Sequence, residues 1–346
     1  MKAVVTILIV NIIYFTSLNC NTTDPGGDNS GQDTTSQNFT FETYEFGDGN
    51  NSSYLNDVWA FNEKNIWAVG YISQTDAQEN GVRISNPNII RWDGTSWKLQ
   101  PYSGSSSGIY GIWAYDSSNI YFAIGAIVKY QSGRYIETNL GNLNFSMGQS
   151  VHKIWGSSEK NIWGVGPFGT VVHYDGTSWK KIDFDTQWSF SNITGDKETG
   201  IAYAAARSVN TSSALIELSD GNVKIVKTFE GEGLTAVAMT GDKLWAAGYN
   251  ILSYDIKNNT ITKEDSLYGY FIATAEGVSK NDVYFFGGNY DGNEVMIHYN
   301  GKRFKEYEIN RAFDLMYGGS SATPNMCVNV GEKNATGYIN IIRRIK

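Results

Sequence analysis

Cysteine is nearly absent: Cys20 and Cys327 are the two in 346 residues. A disulfide-stapled scaffold is therefore excluded. Cys327 lies in the apolar run NMCVNVG and reads as a small core residue. Histidine is as scarce, and no pair among His152, His173 and His298 has ligand spacing, so no zinc site is expected. Residues 289–294, NYDGNE, offer oxygen ligands around a glycine but lack the full calcium-loop pattern and read as a hairpin turn. Basic residues are few: 27 Lys and Arg stand against 35 Asp and Glu, a net charge of −8. Phosphate binding needs clustered Lys and Arg, so nucleic acid is not an expected partner. No amphipathic helix of useful length occurs. No GxSxG, P-loop or dinucleotide fingerprint occurs either, so no cofactor is expected and no catalytic residue is assigned.

What is present is repetition. A strand-ending glycine recurs as WAVG (Gly70), FAIG (Gly125), WGVG (Gly166), WAAG (Gly248), YFFG (Gly287) and VNVG (Gly331). A degenerate copy ends at Ala206. The spacings are 55, 41, 40, 42, 39 and 44, giving seven copies of about 42 residues, the first with an insertion of about 13. Each copy reads strand, turn, strand, loop, strand, turn, strand, from its period-2 alternation and its Trp, Tyr, Ile and Val. Asp93-Gly94, Asp175-Gly176 and Asn300-Gly301 supply hairpin turns between strands three and four. Four antiparallel strands repeated radially at this length define an all-β, seven-bladed β-propeller.

The residues W-x5-[DN]-[IV]-W-[AG]-V-G, followed by [HR]-[YW]-D-G-T-x-W, carry a family resemblance. They are similar to the repeats of bacterial secreted propeller proteins, many of them lipoproteins of unknown function. The resemblance spans residues 54–343. It implies the fold and leaves the function open. The Asp-Gly turns also resemble the Asp-box of sialidase-type propellers. That box has Ser or Thr two residues before the Asp, where Arg91-Trp92 and His173-Tyr174 precede it here, so sialidase activity is not carried over.

The chain divides into three parts: residues 1–20, 21–38 and 39–346. The first carries one Lys and an apolar run of about 16 residues, short of the roughly 20 that span a bilayer, and reads as a signal peptide. Leu18 and Asn19 precede Cys20 in a loose lipobox. Cys20 is the expected lipidation site, anchoring a bacterial envelope lipoprotein, with plain secretion as the second choice. Residues 21–38 lack apolar side chains and read as a disordered tether. The FTFETYEF stretch, Phe39–Phe46, alternates like a strand, while copy seven lacks its fourth strand. It is expected to complete blade seven and remove an open edge.

Strand one-to-two and three-to-four turns are short and alike, and share one face of the disc. Strand two-to-three loops and blade connections are irregular and share the other. Repetition serves structure, so a site belongs on the irregular face. Candidate ligand contacts there are Arg83 in the 71–88 insertion (a possible flap), Trp188, Arg207, Tyr268 and Tyr270. Trp59, Trp113 and Trp155 hold one repeat position and read as packing. The leading expectation is a membrane-anchored, non-enzymatic binding or scaffold module for a protein or glycan of the envelope. The alternatives are a carbohydrate-active enzyme, of glycosidase or lyase type, at the central channel, and a purely structural component.

Overall fold

The structure is a computed structural model. It describes residues 34–345 apart from 48–51, 74–77, 80–81, 84–87, 101, 103, 105–107, 139, 210–211, 266–268 and 311–316. Seven four-stranded antiparallel sheets form a closed ring. The innermost strands are Tyr54–Asn62, Gly111–Asp116, Lys153–Ser158, Trp188–Gly195, Ala236–Thr240, Tyr270–Ser279 and Tyr317–Thr323. They belong to blades one to seven in chain order and line the axis.

The recurring sequence signals have steric causes. A Cβ on Gly166 would overlap the carbonyl oxygen of Ser150, and one on Gly70 that of Tyr54. The strand-ending glycine is thus the point where the second strand meets the chain entering its own blade. At the hairpins, Gly94 and Gly176 adopt φ of 96° and 90°. Asp93 Oδ1 accepts hydrogen bonds from the Thr95 and Ser96 amides, and Asp175 does the same with Thr177 and Ser178. Lys98 and Lys180 lie 2.6 Å from these aspartates. The hydrogen bonds hold both carboxyls well below the usual carboxylate range.

Burial follows the repeat. Trp67, Trp113, Trp163 and Trp245 are fully buried between blades. A third-strand side chain lies over the second-strand ring in three blades: Arg91 over Trp67, His173 on Trp163 at 3.9 Å and His298 against Tyr284. Two of the histidines are therefore packing elements. His173 faces Asn161 at 2.7 Å and His298 faces Asp282 at 2.8 Å. Cys327 is a buried free thiol, and burial pushes its pKa well up.

Blade seven is closed from both ends of the chain. Phe39–Phe46 pairs antiparallel with Thr336–Arg344, from Phe39↔Arg344 to Phe46↔Gly337. Tyr44 and Phe46 each reach Trp97 of blade one at 5.6 Å. The signal-peptide expectation and Cys20 lie outside the described residues, as does most of residues 21–38. The last residues of that segment are seated on blade six. Thr35 donates to the Asn281 carbonyl at 2.5 Å, and buried Gln37 donates to the His298 carbonyl at 3.0 Å. Among the described residues no helix is long and apolar enough to cross a membrane.

Candidate functional site

Two features break the seven-fold regularity. The first is on the irregular face. In blades three to six, the loop between strands two and three presents one large exposed hydrophobic side chain: Phe168, Val209, Tyr249 and Tyr290. Their exposure runs from 46% at Phe168 to 90% at Tyr290, and fully exposed Met147 stands beside Phe168 in the connection entering blade three. The other exposed large hydrophobics among the described residues are scattered: Tyr115 on the opposite face, Ile136 and Ile225 on outer strands, and Ile345.

Three of these rings pack against glycine backbone. Gly148 sits under Phe168, Gly233 under Tyr249 and Gly269 under Tyr290, and a Cβ on any of them would enter the ring. Each ring is thus braced on one side by backbone, and Tyr249 also packs against Phe271 at 5.3 Å. A ring fixed this way loses little conformational freedom when something covers it.

The second feature is on the axis. Glu276 of blade six stands six residues before Asp282, as Trp59, Trp113 and Trp155 stand six before Asn65, Asn119 and Asn161. A carboxyl replaces tryptophan at that repeat position. Burial, then the nearby charge of Asp57, pushes the Glu276 carboxyl up to about 8, opposed by Lys153 and a hydrogen bond with Ser320. Asp57 of blade one reaches across the channel to Lys153 of blade three, at 2.9 Å. Its oxygens also accept from the Val58 amide at 3.0 Å and the Ile112 amide at 3.3 Å. Gly319 of blade seven makes room for this carboxylate, since a Cβ there would collide with Oδ1. Above the pair, His152 stacks on Tyr110 at 4.0 Å and 10°. Burial, with Lys153 adding to it, pushes its imidazole down to about 4.

The predicted contacts are placed differently from one another. Trp188 is 8% exposed and packs in the core between blades three and four. Arg207 is exposed at the loop-face end of its strand, two residues before Val209. Tyr270 packs partly against the blade five and six core and donates to Glu306 at 2.5 Å, a bond that pushes its hydroxyl up to about 12. Arg83 ends a short strand, Val82–Arg83, paired with Gln78–Glu79. Most of the 71–88 insertion around it, and Tyr268, lie outside the described residues. In 289–294, Asn289 Oδ1 caps the turn by accepting from the Asp291 and Asn293 amides. Glu294 points inward, accepting from Asn329 at 2.5 Å, Tyr338 at 2.8 Å and Asn340 at 3.1 Å, and joins blades six and seven. A shallow depression of about 500 Å³ between blades two and three, lined by Glu137, Thr138 and Leu140 among others, brings no second carboxyl to Glu137.

No family model matches the chain, and no curated protein matches its sequence. Solved structures match its fold. A structure of YCF48 bound to D1 peptide aligns with TM-score 0.61 at 13% identity, over 88% of this chain and 97% of that one. The extracellular domain of the putative one-component system BT4673 from B. thetaiotaomicron aligns with TM-score 0.59 at 12% identity, over 87% of this chain and 40% of that one. A chain of the mitotic checkpoint complex aligns with TM-score 0.59 at 12% identity, over 98% and 100%. At these identities the shared property is the propeller fold.

Proposed function

We propose that this chain is a non-enzymatic binding module of the bacterial secreted propeller-repeat kind, anchored at the cell envelope through Cys20. Its irregular face engages an extended segment of a protein partner. The observation that carries this is the apolar arc of Phe168, Val209, Tyr249 and Tyr290 on four successive blades. Exposed apolar groups that recur at one position on neighbouring blades form a pattern that scattered single ones do not. The peptide-bound YCF48 structure, similar in fold, supports a polypeptide over a glycan as the first partner to test.

The test is photocrosslinking in envelope preparations, with benzoylphenylalanine at Tyr249 or Tyr290 and, on the opposite face, at Tyr115. Adducts from the first two alone support the reading. Equal adducts from Tyr115 would sink it. The anchor is tested separately: Cys20→Ser should abolish fatty-acid labelling and release the chain from the membrane fraction.

A second reading, a carbohydrate-active enzyme at the channel, is favoured by one observation. Glu276 is a carboxyl held protonated at neutral pH in the same channel as Asp57. Such a group suits a general acid. Against it, Asp57 is engaged by two amides and Lys153. Sugar release that disappears in Glu276→Gln would establish this reading.

A further inference from the structure

We infer that the arc is built for arginine and lysine side chains, so that the partner segment is an extended, positively charged polypeptide. This rests on the binding reading above and names the chemistry of its ligand.

The argument starts from what accompanies each ring. Tyr249 donates its amide to the carbonyl of Glu232 at 2.9 Å, which sets that carboxylate-bearing residue beside the ring. Asp291 directly follows Tyr290. Gly169, next to Phe168, packs against the Asp185 carbonyl. Blades three, five and six therefore each present an exposed aromatic ring with an acidic residue adjoining it along or across the backbone. Asp185 and Asp291 are exposed and Glu232 is half-buried. Among the described residues none of the three forms an ion pair. Two of these carboxylates hold neutral partners: Asp185 accepts from Gln187, and Glu232 from Asn250.

An aromatic face attracts a cation within about 6 Å of its centroid, and most of all a guanidinium, which also stacks. A neighbouring carboxylate supplies the counter-charge, and the aliphatic stem of Arg or Lys covers apolar surface on the way. Val209 and Met147 add neutral apolar contact between the charged positions.

The charge distribution is specific to this face. The loops and connections at residues 138–152, 166–170, 182–187, 209–211, 231–235, 248–250, 266–269 and 290–293 contain Asp183, Asp185, Glu232 and Asp291, and no Lys or Arg. The turns of the same blades on the opposite face carry Lys160, Lys197, Lys257, Lys280, Lys302 and Arg303 against Glu159, Asp175, Asp196, Glu198, Asp220 and Asp242, and so balance. Among the described residues the cations flanking the arc are Arg207 and Lys181, the latter 3.9 Å from Asp183; the sequence of the connection after blade six, 311–316, adds Arg311 and Asp314. A basic segment is thus drawn to the loop side of the disc, while the charge-balanced turns of the other side offer it no net attraction.

The experiment is selection of a phage-displayed random dodecapeptide library on the full chain, followed by titration of the enriched peptides as synthetic probes. Three proteins are compared: the native chain, Phe168→Ala/Tyr249→Ala/Tyr290→Ala, and Asp185→Asn/Glu232→Gln/Asp291→Asn. All substitutions are at exposed or half-buried positions, and unchanged melting temperatures establish folding. The expected peptides are enriched in Arg or Lys and fail to bind the aromatic variant. They bind the amide variant about tenfold more weakly, and weaken similarly between 50 and 500 mM salt. Peptides that need the rings but show no basic enrichment and no salt dependence would overturn this inference and leave the binding reading standing. Peptides indifferent to the rings, or no enrichment at all, would overturn both. Ring-dependent binding to a glycan array that is insensitive to salt would replace the polypeptide with a sugar.

Discussion

Replacing Glu276 by Gln tests the axial cluster, and its sign follows from the structure. Burial and Asp57 move this carboxyl from 4.5 to about 8. In that interval the folded chain holds a proton that the unfolded chain has lost, so stability falls as pH rises through it. Taken at face value the shift corresponds to about 5 kcal/mol. Glu276 is partly open to channel water. Solvent screening there brings the expected effect to about 2 kcal/mol. Glutamine mimics the protonated form at nearly equal volume and carries no proton to lose. Glu276→Gln should match the native chain near pH 5, and exceed its stability by about 2 kcal/mol at pH 9. Guanidinium unfolding at pH 5, 7 and 9 measures the difference. His152, whose imidazole is pushed down to about 4, makes the native chain less stable as pH falls from 6.5 toward 4, but it acts on both proteins alike and cancels. A difference that is independent of pH would refute the reasoning. So would a variant less stable than the native chain at pH 9, which would mean that Lys153 holds Glu276 ionised.

Other perturbations address the fold and the arc. Gly319→Ala should displace Asp57 from its seat and cost about 3 kcal/mol, read as a fall in the denaturation midpoint; Gly319→Ala with Asp57→Asn should recover little. Lys153→Met leaves Asp57 with its two amides and no cation, and is expected to cost about 3 kcal/mol in the same assay. Removing residues through Phe46 exposes an unpaired edge at Thr336–Arg344, and sedimentation should show association of copies; a monomeric, fully stable product would contradict the closure. Tyr249→Ala and Tyr290→Ala should change stability by less than about 0.5 kcal/mol, since neither ring belongs to the core, so that any loss of binding is a loss of contact.

The fold was legible because a repeat states its structure seven times. The strand-ending glycine, the Asp-Gly turns and the buried tryptophans recur because the same close approach, the same positive φ and the same inter-blade slot recur. The closing strand was legible from what copy seven lacked. Individual contacts were less so. Trp188 and Tyr290 are both aromatic residues near the irregular face, yet one ring is in the core and the other is 90% exposed. The difference lies in position relative to the strand: Trp188 opens its inner strand, while Tyr290 is in a two-to-three loop with Gly269 beneath it. No local composition distinguishes them.

A signal for the site was nevertheless in the sequence, in the departures from the repeat. Aligning the copies puts Glu276 under Trp59, Trp113 and Trp155, and a buried slot that accepts tryptophan has no structural need of a carboxyl. The same alignment puts Phe168, Val209, Tyr249 and Tyr290 just past the strand-two glycine or its alanine equivalent, where no blade core requires an apolar side chain. In a ring of equivalent units the common residues hold the ring together, so the selective use of the molecule resides in what one blade has and another lacks. By that criterion the partner we propose belongs on blades three to six, and the axis carries a charge whose role is tested by its pH dependence.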